Sequence, residues 1–181
     1  PDAQASERVI SAGSWPSNVY GYGIVALDTV IQRAGAAVQP GQPTIVVGEV
    51  GTGDVSTTCF AVSGSGQLRA TLVWTDAASS PMAGNALVND LNLLAWRGSD
   101  GFAWRGNHAE EYDSVNNVEA VKFNIVAGTY GVSVSGHNVV TGKQSFALVV
   151  TGTGISQTAC TAIQQCATNC NNPSGNCLGG Q

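Results

Sequence analysis

Apolar and polar residues alternate with a period of two along most of this chain, and that period places the strands. Residues 45–50, 55–62 and 68–75 form the first three segments. In the third, Leu68, Ala70, Leu72 and Trp74 share one face, and Arg69, Thr71 and Val73 the other. Segments 87–96 and 102–104 read as a hairpin around Gly98-Ser99-Asp100-Gly101, residue types that tolerate turn geometry. Along 87–94, Asp90 and Asn92 project together on the side opposite Leu91 and Leu93. Segments 118–126, 129–135 and 145–151 complete the set. About eight short strands, each with one apolar face, predict two antiparallel sheets packed face to face. A jelly roll fits that strand count best, and the Cys-Trp-Cys spacing of an immunoglobulin-like sandwich is absent.

Two stretches break the pattern. Ile24, Leu27, Val30, Ile31 and Ala34 share one face at helical spacing, and Gly35 is a helix stop. Residues 38–43, with Pro40, Gly41 and Pro43, read as a linker. After Gly152 the alternation ends, and 156–181 is rich in Gln, Asn, Thr, Gly and Cys. So few apolar groups cannot make a core, so cross-links would have to fix this tail. Cys160, Cys166, Cys170 and Cys177 lack the C-x2-C pairs that zinc favours, which predicts disulfides and an oxidising, extracellular setting. Cys59, beside Phe60 and Val62, reads as a buried core thiol. The chain divides into a helical segment 1–37, a β-sandwich 38–153 and a Cys-rich tail 154–181.

Composition narrows the function. The 181 residues carry 10% charged side chains and a net charge of −5. No basic patch with interleaved aromatics is present, which argues against nucleic acid as a partner. No apolar run is long enough to span a bilayer. The chain begins at Pro1 without a methionine or signal peptide, which reads as a mature or trimmed product.

The loop after the hairpin is dense in oxygen: Asn107, Glu110, Glu111, Asp113, Asn116 and Asn117. Calcium takes roughly six to eight oxygen ligands. Asp90 from the strand, with Asp113 and Asn116 from the loop and Asp76 as the next candidate, makes a candidate calcium site. The competing reading has the same residues capping turns through their own side chains. His108 and His137 have no Gly-x-Ser-x-Gly elbow near them, so this chain by itself is not expected to cleave a peptide bond. Trp74 alternates with Leu72 and reads as core. Trp15, Trp74, Trp96 and Trp104 together would offer a carbohydrate platform, and Trp96 and Trp104 flank one hairpin, where they would stack on each other across it.

Several separated motifs carry a family resemblance. In order they are Leu72-Val73-Trp74-Thr75-Asp76, Leu87-Val88-Asn89-Asp90-Leu91-Asn92-Leu93, Gly106-Asn107, Asn116-Asn117-Val118-Glu119, Gly128-Thr129-Tyr130, Gly136-His137-Asn138-Val139 and Phe146-Ala147-Leu148-Val149-Val150. In order and spacing, over 45–152, they resemble the jelly-roll domain that follows the catalytic domain in secreted subtilisin-like serine proteases. Gly21-Tyr22-Gly23 with Val25, Leu27 and Asp28 resembles the last helix of that catalytic domain. The resemblance implies an antiparallel jelly-roll β-sandwich preceded by one helix and followed by a Cys-rich disulfide-bonded tail. It implies a secreted, non-catalytic C-terminal portion that stabilises the catalytic domain or shapes substrate access. It also implies a subtilisin-like catalytic domain or chain as partner, and a calcium ion.

The family's Asp-Thr-Gly, His-Gly-Thr and Gly-Thr-Ser-Met-Ala motifs are absent, so the triad would lie on a portion not in this chain. Asn92 stands where the family often has Asp, which removes one charge from a metal site. On this reading the apolar stripe of 24–34 is covered by a second chain or a domain not in this chain. The alternatives are a free-standing extracellular module for carbohydrate or protein, and a structural part of an extracellular assembly.

Overall fold

A computed structural model describes Gly21 and residues 43–108 and 111–160. The expected helix at 24–34 and the tail beyond Cys160 lie outside these residues. Nine strands run in chain order: β1 Thr44–Val50, β2 Val55–Val62, β3 Gly66–Val73, β4 Asn89–Arg97, β5 Ala103–Arg105, β6 Val118–Ile125, β7 Gly128–Val139, β8 Gln144–Gly152 and β9 Ile155–Thr158. They make a four-stranded sheet, ordered β1-β8-β3-β6, and a five-stranded sheet, ordered β5-β4-β7-β2-β9. Every strand pairing is antiparallel. The chain is an all-β two-sheet sandwich with no α-helix among the described residues, and none there is long and apolar enough to cross a membrane.

The alternation does what it predicts. Leu68, Ala70 and Leu72 of β3 and Val121, Phe123 and Ile125 of β6 face Phe60, Leu91, Leu93, Tyr130, Val132 and Val134 across the core. Trp74 is core, as expected, and its indole N–H donates to the Asn89 carbonyl over 3.0 Å. Trp104 and Trp96 do not stack on each other. Trp104 is opposite Ala95 and Trp96 opposite Ala103, so the two rings leave the hairpin on opposite faces. Trp104 instead stacks on Phe123, centroids 3.8 Å apart and planes 7° from parallel.

β7 is longer than the 129–135 expected, reaching Val139 past a register shift opposite Asp90 and Leu91. The bulge lets the strand continue where its pattern breaks at Gly136.

Two corrections concern the end of the sandwich. The chain does not lose regular structure after Gly152: it turns at Gly154, with φ 66°, and β9 pairs with β2. Nor is Cys59 a free thiol. It is disulfide-bonded to Cys160, with Cα atoms 5.3 Å apart. Phe60 and Val62 point into the core, so Cys59, one residue before Phe60, points outward, and β9 delivers Cys160 to that side, with Thr158 opposite Cys59.

Candidate functional site

The oxygen-rich loop closes the gap between β5 and β6. Gly106 and Asn107 begin it, and Asn107 is left-handed, at φ 56°. Only glycine fits at 106, because a Cβ there would stand 2.1 Å from Glu119 Oε2. The Asn107 side chain then takes the place of a neighbouring strand. Its Oδ1 accepts from Ala120 N at 3.1 Å and its Nδ2 donates to the Val118 carbonyl at 3.0 Å. The edge of β6 is thereby capped.

Two of the four expected metal ligands, Asp113 and Asp76, have their oxygens occupied. Asp113 accepts from the side-chain amides of Asn107, at 2.6 Å, and Asn116, at 2.7 Å, and from the backbone N–H groups of Val115 and Asn116. Burial pushes this carboxyl up, but those four donors outweigh it and hold it below the usual carboxylate value. Asn116 turns its amide nitrogen, a donor, toward Asp113. Asp76 accepts from Ala77 and Asn89 N–H through Oδ1 and from Val88 N–H, at 2.7 Å, through Oδ2. Here Asp76 ties the loop before β4 to the start of that strand.

Asp90 is different, and two side chains join it. Asp90 Oδ1, Asn92 Oδ1 and Glu119 Oε1 are buried without a hydrogen-bond partner. Asn92 is 4% exposed and Glu119 is fully buried. Glu119 Oε2 accepts from Leu93 N–H at 2.7 Å, bridging from β6 to β4. Burial pushes the Glu119 carboxyl up to about 8; the Leu93 N–H opposes this, and the charges of Asp113 and Asp90 add to it. Asp90 is also raised, first by burial, with His137 opposing and Asp113 adding. His137 is exposed, at the β7 register shift.

Buried acceptor oxygens without a donor thus lie on β4, at Asp90 and Asn92, and at the start of β6, at Glu119. Each buried oxygen without a donor costs about 1–3 kcal/mol. A cation, a bound water or a proton would each relieve that cost. Among the described residues, no three His, Cys, Asp or Glu side chains converge closely enough to hold a metal by themselves. The oxygens that remain open belong to two carboxyls and one amide.

Glu119 was not among the expected ligands. Its signal was in the pattern: it is the one charged residue in the inward series 119, 121, 123 and 125.

No family model matches this chain. Over 116 residues, 58% of the chain, it is 33% identical to the serine protease/ABC transporter B family protein tagA of Dictyostelium discoideum. The match spans 7% of that much longer relative. Among solved structures, the pre-peptidase C-terminal domain of a collagenase from Bacillus anthracis superposes with a TM-score of 0.40 at 16% identity, covering 63% of this chain and 99% of that one. A mitogen from Yersinia pseudotuberculosis gives a TM-score of 0.39 at 12% identity, covering 61% and 86%.

Proposed function

We propose that this chain is the C-terminal, non-catalytic β-sandwich portion of a secreted subtilisin-like serine endopeptidase, where it stabilises the catalytic domain or shapes substrate access. The observation that carries this reading is the 33% identity, over 116 residues, to a relative named a serine protease. The motif order along 45–152 supports the subtilisin-like assignment. Strand orders β1-β8-β3-β6 and β5-β4-β7-β2 support a jelly roll, since each sheet alternates strands from the two halves of the chain. The division into 1–37, 38–153 and 154–181 belongs to the same reading, with β9 and Cys160 tying the start of the tail to the sandwich.

Calcium belongs to it as well. The donor set suits a hard cation: Asp90, Asn92 and Glu119 each offer an oxygen with no other partner. Asp113 and Asp76 would join only by giving up hydrogen bonds they now accept, and Asn116 would join through Oδ1. The ion would add positive charge beside the Asp90 and Glu119 carboxyls and pin β4 to β6.

The test is to recover the native protein with an antibody raised against the sandwich and treat it with a serine-directed phosphonate. A labelled catalytic domain, covalently continuous with Pro1 or co-purifying with this chain, is expected. Recovery of the chain with no labelled species attached would end the protease reading.

A further inference from the structure

The two outward faces of the sandwich differ. On the five-stranded sheet the outward side chains Leu94, Trp96 and Ser133 are buried. On the four-stranded sheet they are apolar and open. Leu72, Leu148 and Val150 point into the core, so Val73, Ala147 and Val149 beside them point out. β1 follows the same rule, with Val46 and Val50 inward and Ile45 and Val47 outward. Ile45 is 64% exposed, Val47 77% and Val73 41%.

The register gathers these side chains into one band. Val47 stands opposite Ala147, Ala147 opposite Val73, and Val73 opposite Val118, a row that crosses all four strands. Ile45 opposite Val149 begins the next row. Polar groups border the band. Arg69 stands opposite Lys122 beyond the second row, and Glu49, paired with Lys143 over 3.0 Å, lies beyond the first. An antiparallel sheet with one face on the core ordinarily turns polar side chains to water on the other. An apolar centre with a polar rim has the anatomy of a contact surface.

Size and position select the occupant. Side chains on one face of a sheet stand about 6.8 Å apart along a strand and about 4.8 Å across it, so this band covers about 200 Å². A stable pair of free molecules needs about 800 Å² from each partner, more than a second copy seated here would bury. A tethered domain needs less, because a short linker holds it at an effective concentration in the millimolar range. β1 is both the first strand and an edge strand, so the chain enters the sandwich at Thr44, one residue before Ile45. Residues 38–43, with Pro40 and Pro43, read as a short linker ahead of it. The relative that matches this chain extends far beyond the match.

We propose that the band centred on Val47 and Ala147 is the seat of the domain that precedes the sandwich in the full-length protein. That this domain is catalytic rests on the reading above; the band is then the surface through which the sandwich stabilises it. The five-stranded sheet offers no such seat, since its outward side chains Leu94 and Trp96 are already buried.

The test uses the full-length protein with a benzophenone amino acid in place of Val47, as an equal mixture of isotopically heavy and light molecules. After irradiation, cross-links are mapped by mass spectrometry. Cross-links from position 47 to peptides preceding residue 38, within single molecules, are expected. The same probe at Val55, on the outward face of the other sheet, should give none. Mixed-isotope cross-links, cross-links confined to 38–181, equal yields from both positions, or none at all would overturn the proposal. Ile45→Asp with Val47→Asp changes outward side chains only and gives a second readout. Cleavage of the 38–43 linker by added elastase should quicken several-fold as the domain lifts away, and an unchanged rate would count against the seat. Cross-links to a preceding domain that takes up no serine-directed phosphonate would uphold this surface and end the protease reading. A labelled domain that never reaches position 47 would do the reverse.

Discussion

Glu119 is a buried carboxyl that joins β6 to β4 through the Leu93 N–H. Its carboxyl is held at about 8 against an ordinary 4.5. Between those values the folded protein keeps a proton that the unfolded chain releases. Stability from this group is therefore full below about 4.5 and declines as pH rises toward 8, by at most about 1.4 kcal/mol per pH unit. In chelator, Glu119→Gln should flatten that decline and gain on the wild type as pH increases. Urea melts at pH 5 to 8 decide it, and parallel slopes for the two proteins would remove the role. Calcium should act in the opposite sense at the same corner. A free concentration a hundred times the dissociation constant should add about 2.7 kcal/mol, and Asp90→Asn should remove most of it. Equal melting midpoints in calcium and in chelator would leave these oxygens to water and protons.

At this scale the sequence was partly legible. The oxygen-rich loop and the outward-facing Asp90 could be read from residue types. Hydrogen bonds between Asp113, Asn107 and Asn116 depend on how the loop folds back, which spacing does not encode.

At the scale of elements, periodicity located eight strands because most of them alternate core side chains with others. β9 escaped because it is short and pairs along one edge, with Ser156, Gln157 and Thr158 exposed. Its place depends on the pairing with β2 and on the bond between Cys59 and Cys160, which are 101 residues apart. Closing a loop of that size in the unfolded chain is worth about 4–5 kcal/mol in the chain-entropy model. Cys160→Ser should lower stability by an amount of that order and release β9. Denaturant melts with and without reductant, and hydrogen exchange at 155–158, check both effects. A variant as stable as the wild type, with those amides still protected, would show that the bridge adds nothing to the fold.

At the scale of the whole molecule, an all-β sandwich and its hydrophobic interior were legible, because alternation and burial are the same fact in a sheet. Which residues lie outward and yet are buried was not, because Leu94 and Trp96 look like any alternating pair until a face is assigned. The chain carries neither a nucleophile elbow nor the subtilisin triad motifs. By itself it should hydrolyse no peptide bond and take up no serine-directed phosphonate, and covalent labelling of any serine in the isolated chain would contradict this.

The bridge between Cys59 and Cys160 also decides how the domain responds to pulling. Tension applied between the entry at Thr44 and the exit at Cys160 runs through 44–59 and then crosses the sulfurs. β1 and β2 carry the load, while everything from Phe60 to β9 is bypassed. β1 lies antiparallel along β8 over its whole length, so its rungs from Thr44 to Val50 yield first. The segment from Thr44 to Cys59 has a contour length of about 50 Å, at roughly 3.5 Å per residue, and the sulfurs stop its extension there. Until the bridge is reduced, the molecule behaves as a short tether around a covalently closed ring.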